Sequence, residues 1–467
     1  GGVSLVEVAN SAVYNSSDAQ YLVRTFGTPT DQDVWSISMW LNFRLQNDGV
    51  NNYGIFGGAA NNTDLCYYAP ASGQILFAFS GASGGTIPPL LRDALGWTHF
   101  VMKMSGTSIT AYYNGVQVFT DTMTVSDWNS AVACEIGTYN GAVDGAKSSM
   151  YMAETVFIDG LALGPTSFGE FDSTGLYWTP LASATIKALT FGNNGFYLDN
   201  TTNAQTDASG NGNNFTNTNS VTTSTHTPTN VFGFLNPLNS GGIGTLSNGN
   251  RTYSDSGATR VMSTMSFPAA GKFYFEGTLA SFANGVAFGI AEAGSDGQST
   301  FLGANYAGIS VQSGPAGRYY RFSATRNDIP TSGTNALTEV ADTLMLAVDC
   351  AEGKIWIGFY DDSLDATRWV DASDGYQTGD QPGSGTNATI DLSTTLEGYE
   401  FAVNSAGSIA LTVNMGDVAY TRTAPSGFGS FNTANIAAEN TTTASDTNEH
   451  WNNLLYTGNG TAIGSGG

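Results

Sequence analysis

In the stretch 35–43 every second residue is apolar: Trp35, Ile37, Met39, Leu41 and Phe43, with Ser36, Ser38 and Asn42 between them. A period of two sends alternate side chains to opposite faces of an extended chain, so this stretch reads as a β-strand. Trp40 interrupts the polar face, which predicts a strand covered on both sides. Phe100, Met102 and Met104 alternate in the same way. The apolar stretches 109–113 and 116–119 flank Asn114-Gly115. That dipeptide suits a two-residue hairpin turn, because both central residues there take positive φ. Residues 150–163 form a further apolar stretch with a second turn at Asp159-Gly160.

The second half keeps the pattern with a different sequence. Phe273, Phe275 and Leu279 share a face, and Leu344, Leu346 and Val348 lead through 349–353 to Ile355, Ile357 and Phe359 as another hairpin. Stretches 399–403 and 409–413 make a last pair. Helical periodicity is almost absent, residues 448–456 being the best short candidate. Many short strands with Gly, Asn and Asp turns predict an all-β chain of sandwiches or barrels, without β-α-β units.

Composition removes several function classes. The 467 residues hold 15 Lys and Arg against 39 Asp and Glu, a net charge of −24. Such a surface repels a phosphate backbone, so nucleic acid is excluded as a partner. No apolar run approaches the ~18 residues that a membrane-spanning helix needs. Three scattered cysteines, Cys66, Cys134 and Cys350, are expected as buried thiols rather than a disulfide framework. The start, Gly-Gly-Val-Ser-Leu, has no signal-peptide core and no Met, which reads as a processed chain, a fragment or a start within a gene. Residues 199–230 are dominated by Asn, Thr, Ser and Gly, as expected of a linker or of a loop draped over a domain. The tail after 432 is again polar and stops at Gly464-Ser-Gly-Gly467.

Four motifs carry a resemblance in the first half: Trp35-Ser-Ile-Ser-Met-Trp40, Gly96-Trp97-Thr-His-Phe100, Tyr112-Tyr-Asn-Gly115 and Ala153-Glu154-Thr-Val-Phe-Ile-Asp-Gly160. On these, residues 10–165 resemble laminin-G-like, concanavalin A-like jelly-roll domains. Residues 245–430 resemble a SPRY (B30.2-like) sandwich on Gly271-Lys-Phe-Tyr-Phe-Glu276, Ala287-Phe-Gly-Ile290, Leu344-Met-Leu-Ala-Val-Asp349, Gly353-Lys-Ile-Trp-Ile-Gly358 and Val413-Asn-Met-Gly416. The order of the two modules is similar to that in virion proteins of tailed bacteriophages, of tail-fibre, tail-associated or capsid-surface type.

The resemblance implies two antiparallel β-sandwiches: a jelly roll over 1–180, a Gly/Asn/Thr-rich connector over 181–240 and a SPRY-like sandwich over 241–432. A polar segment over 433–467 would lead into a further module. It also implies a structural or adhesive protein on the tail or capsid surface, made in the host cytoplasm without a signal peptide. Its partners would be other virion proteins and a host-surface glycan, in a homo-oligomer with a trimer favoured. The alternatives are a capsid decoration or assembly protein without a host ligand and, less favoured, a polysaccharide depolymerase.

Sugar binding uses flat aromatic faces beside amide and carboxyl groups, and four clusters have that character: Tyr67 with Tyr68, Tyr139 with Asn140, Tyr319 with Tyr320, and Trp369. The last two are expected in loops at one end of the second sandwich. No cofactor is expected to be required. Calcium is the favoured ion, because the resembled domains hold hard cations with acidic oxygens. Asp64, Asp144 and Asp207, the last with Asn211 and Asn213, are the candidates, against turn-capping as the competing role.

Catalysis is not expected. Glu170-Phe-Asp172 is the nearest match to a glycosidase carboxylate set, but it lacks the third acid and reads better as a polar turn. His99, His226 and His450 are too scattered for a zinc site, and His99 is expected as a satisfied or exposed imidazole.

Overall fold

The computed structural model describes residues 6–436 apart from 45–51, 59–63, 80–82, 89–90, 92–94, 124–127, 144–145, 239–243, 258, 283–284, 294–305, 312–317, 323–324, 329–342, 362–365, 372–375, 378 and 406. The short helix expected at 448–456 therefore lies outside the described residues.

The described chain is all-β, arranged as two sandwiches of antiparallel sheets. One sheet of the first sandwich runs in the order Val116–Thr122, Ser108–Tyr113, Thr98–Ser105, Val34–Phe43, Met150–Asp159, Ser11–Tyr14, Thr222–Ser224, with Phe196–Leu198 also paired to Met150–Asp159. The facing sheet runs Thr216–Thr218, Tyr21–Thr25, Ala133–Ile136, Tyr53–Gly58, Leu65–Ala69, Gln74–Phe79, Ser83–Ile87. Trp35, Ile37, Met39, Leu41 and Phe43 all enter the core between them, as their alternation requires. The opposite face of Val34–Phe43 is also covered. Ser36, Ser38 and Asn42 are buried, and Trp40 packs with Val8 and Ala153. Elsewhere on that outer face Val101, Val156 and Ile158 pack under Phe168, Ile186, Phe191 and Tyr197. The Asn114-Gly115 turn has φ of 45° and 79°, as the hairpin demands.

Residues 196–224 are built into this first sandwich, giving strands to both of its sheets. Phe196, Leu198, Phe215 and Val221 enter its core, while the Asn and Asp side chains between them close their own turns. The polar average of this segment conceals a few anchoring side chains, and these decide where it lies.

In the second sandwich one sheet runs Thr245–Ser247, Thr252–Asp255, Ile409–Asn414, Lys272–Phe282, Thr343–Asp349, Lys354–Asp361, Ala366–Val370, Tyr376–Gln377, and Ile390–Asp391 pairs with Lys354–Asp361. The other runs Arg260–Ser266, Tyr399–Ser405, Val286–Glu292, Tyr306–Val311, Arg318–Phe322, Thr325–Asp328. Phe273, Phe275, Leu344, Leu346, Ile355 and Ile357 meet in its core. Glu276 is buried on the other face of its strand, where it accepts hydrogen bonds from the Tyr274 hydroxyl (3.2 Å) and from the Thr421 and Arg422 amides (2.8 Å each). Those bonds fasten the segment that follows the last strand. All three cysteines are buried and free, as expected.

Candidate functional site

The strand Leu65–Ala69 sorts its side chains by the same period of two. Cys66 and Tyr68 face the core, whereas Leu65, Tyr67 and Ala69 are half-exposed on the outer face of the seven-stranded sheet. Beside that strand, Tyr53–Gly58 offers two bare positions to the outer face. A Cβ on Gly54 would overlap the Ala146 carbonyl oxygen and the Tyr139 amide, and one on Gly57 would lie 2.8 Å from the Asp64 carbonyl oxygen. Residues 137–143 and 146–149 therefore lie directly on the sheet, and side chains at Gly54 and Gly57 would exclude them.

Hydrogen bonds among the described residues of this loop hold its backbone in place. The Thr138 hydroxyl donates to the Ala146 carbonyl at 3.1 Å and accepts from the Asn140 amide at 3.1 Å. Asn140 Oδ1 accepts from the Ala142 amide at 2.9 Å. Glu135, buried on Ala133–Ile136, holds the next turn by accepting from the Gly141 amide at 2.7 Å. Burial raises the Glu135 carboxyl, opposed by that amide and by Lys147. The result sets the half-exposed Tyr139 ring against Tyr67, centroids 5.2 Å apart and planes tilted by 42°. Burial beside Tyr139 also raises the Tyr67 hydroxyl, so it stays a neutral donor at physiological pH. A half-exposed aromatic pair on a hydrogen-bonded backbone can stack against an apolar ligand face, with the Tyr67 hydroxyl free to donate to its rim.

Of the residues singled out in the sequence, Tyr67, Tyr139 and Asn140 come together here, with the Asp64 backbone at their edge. Asn140 is buried, and its carbonyl is committed to the loop. Tyr68 faces inward and stacks on Phe43 at 4.5 Å, so it is a core residue and not a sugar platform. Trp369 is likewise buried, packed with Tyr274, Trp356 and Phe428. Tyr319 and Tyr320 lie on the strand Arg318–Phe322, opposite Ser310 and Ile309, and Trp369 lies on Ala366–Val370. These positions correct the expectation of rim loops, because strand pairing places the aromatics within sheets.

Asp207 is not arranged as a cation ligand. Oδ1 accepts from the Tyr197 and Ser209 amides (2.9 and 2.8 Å), and Oδ2 from the Ser209 hydroxyl and the Asn213 amide (2.9 and 2.8 Å). Four donors occupy the lone pairs that calcium would need. Asp64 is buried, and Asp144 lies outside the described residues. Among the described residues no three His, Cys, Asp or Glu side chains gather as a metal site. Asp172 accepts from Thr174, Leu176 and Tyr177 in the turn that follows it, but Glu170 and Phe171 lie on the strand Gly169–Phe171, paired with Trp178–Pro180, which corrects the expectation of a polar turn across Glu170-Phe-Asp172. His99 is buried and satisfied: its ring accepts from the Trp178 indole at 2.8 Å and meets the Ser38 hydroxyl at 2.8 Å. His450 lies outside the described residues.

Two acids escaped the sequence reading. Glu135 is the one charged residue of the strand Ala133–Ile136 and Glu154 interrupts the apolar stretch of Met150–Asp159, and such interruptions are the signal that marks them. Glu154 has φ of 52° at a register shift in Met150–Asp159 and is hydrogen-bonded by the Tyr197 hydroxyl. Burial pushes its carboxyl up to about 7, from 4.5 for an exposed glutamate. Between those values the folded chain holds a proton that the unfolded chain releases, so stability falls as pH rises from about 4.5 to 7. Glu154→Gln, which keeps the acceptor and removes the charge, is expected to gain about 2–3 kcal/mol at pH 8 and nothing at pH 4. Urea titrations at the two pH values check this, and equal effects at both would refute it.

No protein-family model matches the sequence, and no curated protein matches it. Among solved structures, the chain is similar to a candidate carbohydrate-binding protein from Bacteroides ovatus at 15% identity and a TM-score of 0.34. That match covers 47% of this chain and 60% of the other, so it spans less than two thirds of that protein. Domains LG4-5 of the mouse laminin α1 chain match at 10% identity and a TM-score of 0.30, covering 89% of this chain and 92% of theirs. The TRIM65 PSpry domain matches at 15% identity and 0.27, covering 39% of this chain and 92% of its own.

Proposed function

We propose that this chain is a non-enzymatic binding protein that takes up a saccharide on the outer face of its first sandwich. The observation that carries this reading is the Tyr67–Tyr139 pair, half-exposed and 5.2 Å apart on a loop locked to the sheet. Two rings held in place lose little conformational freedom when a sugar stacks on them. The net charge of −24 selects neutral or amino sugars over sulfated or uronic ones. Such a site is shallow, and its affinity would come from many copies acting together on one particle. That need, together with the order of the two modules, supports a place on the surface of a phage particle facing host glycans.

A glycan array identifies the ligand, and calorimetry then compares variants. Tyr67→Ala and Tyr139→Ala are each expected to weaken binding about tenfold, ~1.4 kcal/mol, with thermal midpoints close to the parent. Unchanged affinity in both variants would remove this face from consideration. Absence of the chain from purified virions would remove the particle context and leave the saccharide site standing.

A further inference from the structure

Where the two sandwiches meet, a buried cluster carries more positive charge than it pairs. Arg44, next after the strand Val34–Phe43, is 2% exposed. Its guanidinium lies 3.7 Å from the centroid of the Phe234 ring and 4.5 Å from that of Tyr151. His226 meets the same two rings edge-on, at 5.0 and 4.9 Å, and lies 5.1 Å from Trp97. From the second sandwich, Asp417 accepts from the Tyr151 hydroxyl at 3.3 Å and faces Arg251 at 3.6 Å. This ledger holds two guanidinium groups against one carboxylate.

The unmet hydrogen bonds point the same way. Arg44 Nε and Nη2, His226 Nε2 and Trp97 Nε1 are buried with no acceptor among the described residues. His226 Nδ1 accepts from the Phe232 amide at 3.1 Å, so the proton of the neutral ring is on Nε2, which is therefore a donor. Only one carboxylate oxygen of the cluster, Asp417 Oδ1, is an orphaned acceptor. Burial draws the Arg44 guanidinium down to about 10, which leaves it charged at neutral pH. Burial also raises the Asp417 carboxyl, and protonation there would only enlarge the cationic excess. Arg44 has Tyr151 as a hydrogen-bond partner and shares Asp417 with Arg251, so the cluster is still one negative charge short, and an uncompensated buried charge is among the costlier arrangements in a protein interior. A water molecule could accept from these donors, but it would leave the charge in place and bring two hydrogens of its own that need acceptors. A ligand that only accepts, and carries one negative charge, meets both deficits.

We propose that the junction of the two sandwiches binds one small monovalent anion of halide size, held by Arg44 Nε–H and Nη2–H and by His226 Nε2–H. The anion balances Arg44 and ties the end of Val34–Phe43 to the segment carrying His226 and Phe234, which leads into the second sandwich.

The test is a thermal titration of the full chain in sodium chloride, sodium bromide or sodium gluconate at one ionic strength. The midpoint is expected to rise by about 2–4 °C in the two halides and to saturate, as for a single bound ligand, with gluconate too large to enter. Arg44→Met should lose the halide dependence. Equal midpoints in the three salts, or an undiminished halide effect in Arg44→Met, would overturn the proposal. Because that variant could fail to fold, crystals of the parent protein soaked in sodium bromide give a second measurement. An anomalous peak within hydrogen-bonding distance of Arg44 and His226 supports the site. A water molecule or no density at that point overturns it.

Discussion

Gly54→Ala is expected to lift residues 137–143 and 146–149 from their sheet and to weaken saccharide binding at least about tenfold, the equivalent of ~1.4 kcal/mol. The added methyl would occupy space held by the Ala146 carbonyl and the Tyr139 amide, both backbone atoms that no rotamer change can move aside. The Ser148 hydroxyl also donates to the Gly54 carbonyl, so sheet and loop share this contact in both directions. Overpacking of this kind costs about 1–3 kcal/mol of stability. The larger effect falls on binding, because Tyr139 keeps its position beside Tyr67 only while the loop lies flat. Gly164→Ala is the matched control, since a Cβ there would meet nothing within 4 Å. It should leave both affinity and thermal midpoint unchanged. A Gly54→Ala protein that binds like the parent would show that the ligand does not depend on this loop.

The second large effect is expected at Asp159, the last residue of Met150–Asp159. Its buried carboxylate accepts from the Thr30 amide (2.7 Å), the Asp31 amide (3.3 Å), Asn129 Nδ2 (2.8 Å) and the Asn194 amide (3.0 Å). Three separate segments are thereby fixed to the end of one strand. Asp159→Ala strands these donors in the interior and is expected to cost about 3–5 kcal/mol. Asp159→Asn keeps the shape but turns one acceptor into a donor facing other donors, so it should recover only part of the loss. Urea denaturation reads both, with the slope unchanged if the unfolded state is unaffected. A loss below about 1 kcal/mol for Asp159→Ala would mean that water replaces the carboxylate, contrary to its buried position.

Strand identity was legible wherever one face had to be apolar. Trp35, Ile37, Met39, Leu41 and Phe43 could enter a core only on alternate positions, and Asn114-Gly115 left little freedom in the turn joining its flanking strands. The polar stretch 199–230 was harder to place, because composition averages over Phe215 and Val221, and two anchors suffice to hold a segment against a core. The candidate site was half legible. Tyr67 and Tyr139 stood out as aromatics near Asn and Asp, but their pairing needed two glycines in another strand and a loop closed by Thr138 and Glu135. Tyr68 was misplaced for the reason that makes strands readable: neighbours point to opposite faces, so only one of Tyr67 and Tyr68 could be exposed. Trp369 failed similarly, since an aromatic beside an arginine reads as exposed until its covering neighbours Tyr274, Trp356 and Phe428 are known. Asp207 has the residue type for calcium, yet its own turn supplies the donors that use up its oxygens.

That this chain is built of antiparallel strands with buried apolar faces follows from local sequence, since alternation and turn chemistry act between residues close along the chain. Tertiary structure alone decided which aromatic rings face solvent, which acids lie in the interior, and that Arg44, Tyr151, His226 and Asp417 share one buried junction. Those outcomes depend on contacts between residues up to 266 positions apart. Burial and charge pairing at such separations are properties of the packed molecule, with no local pattern to announce them.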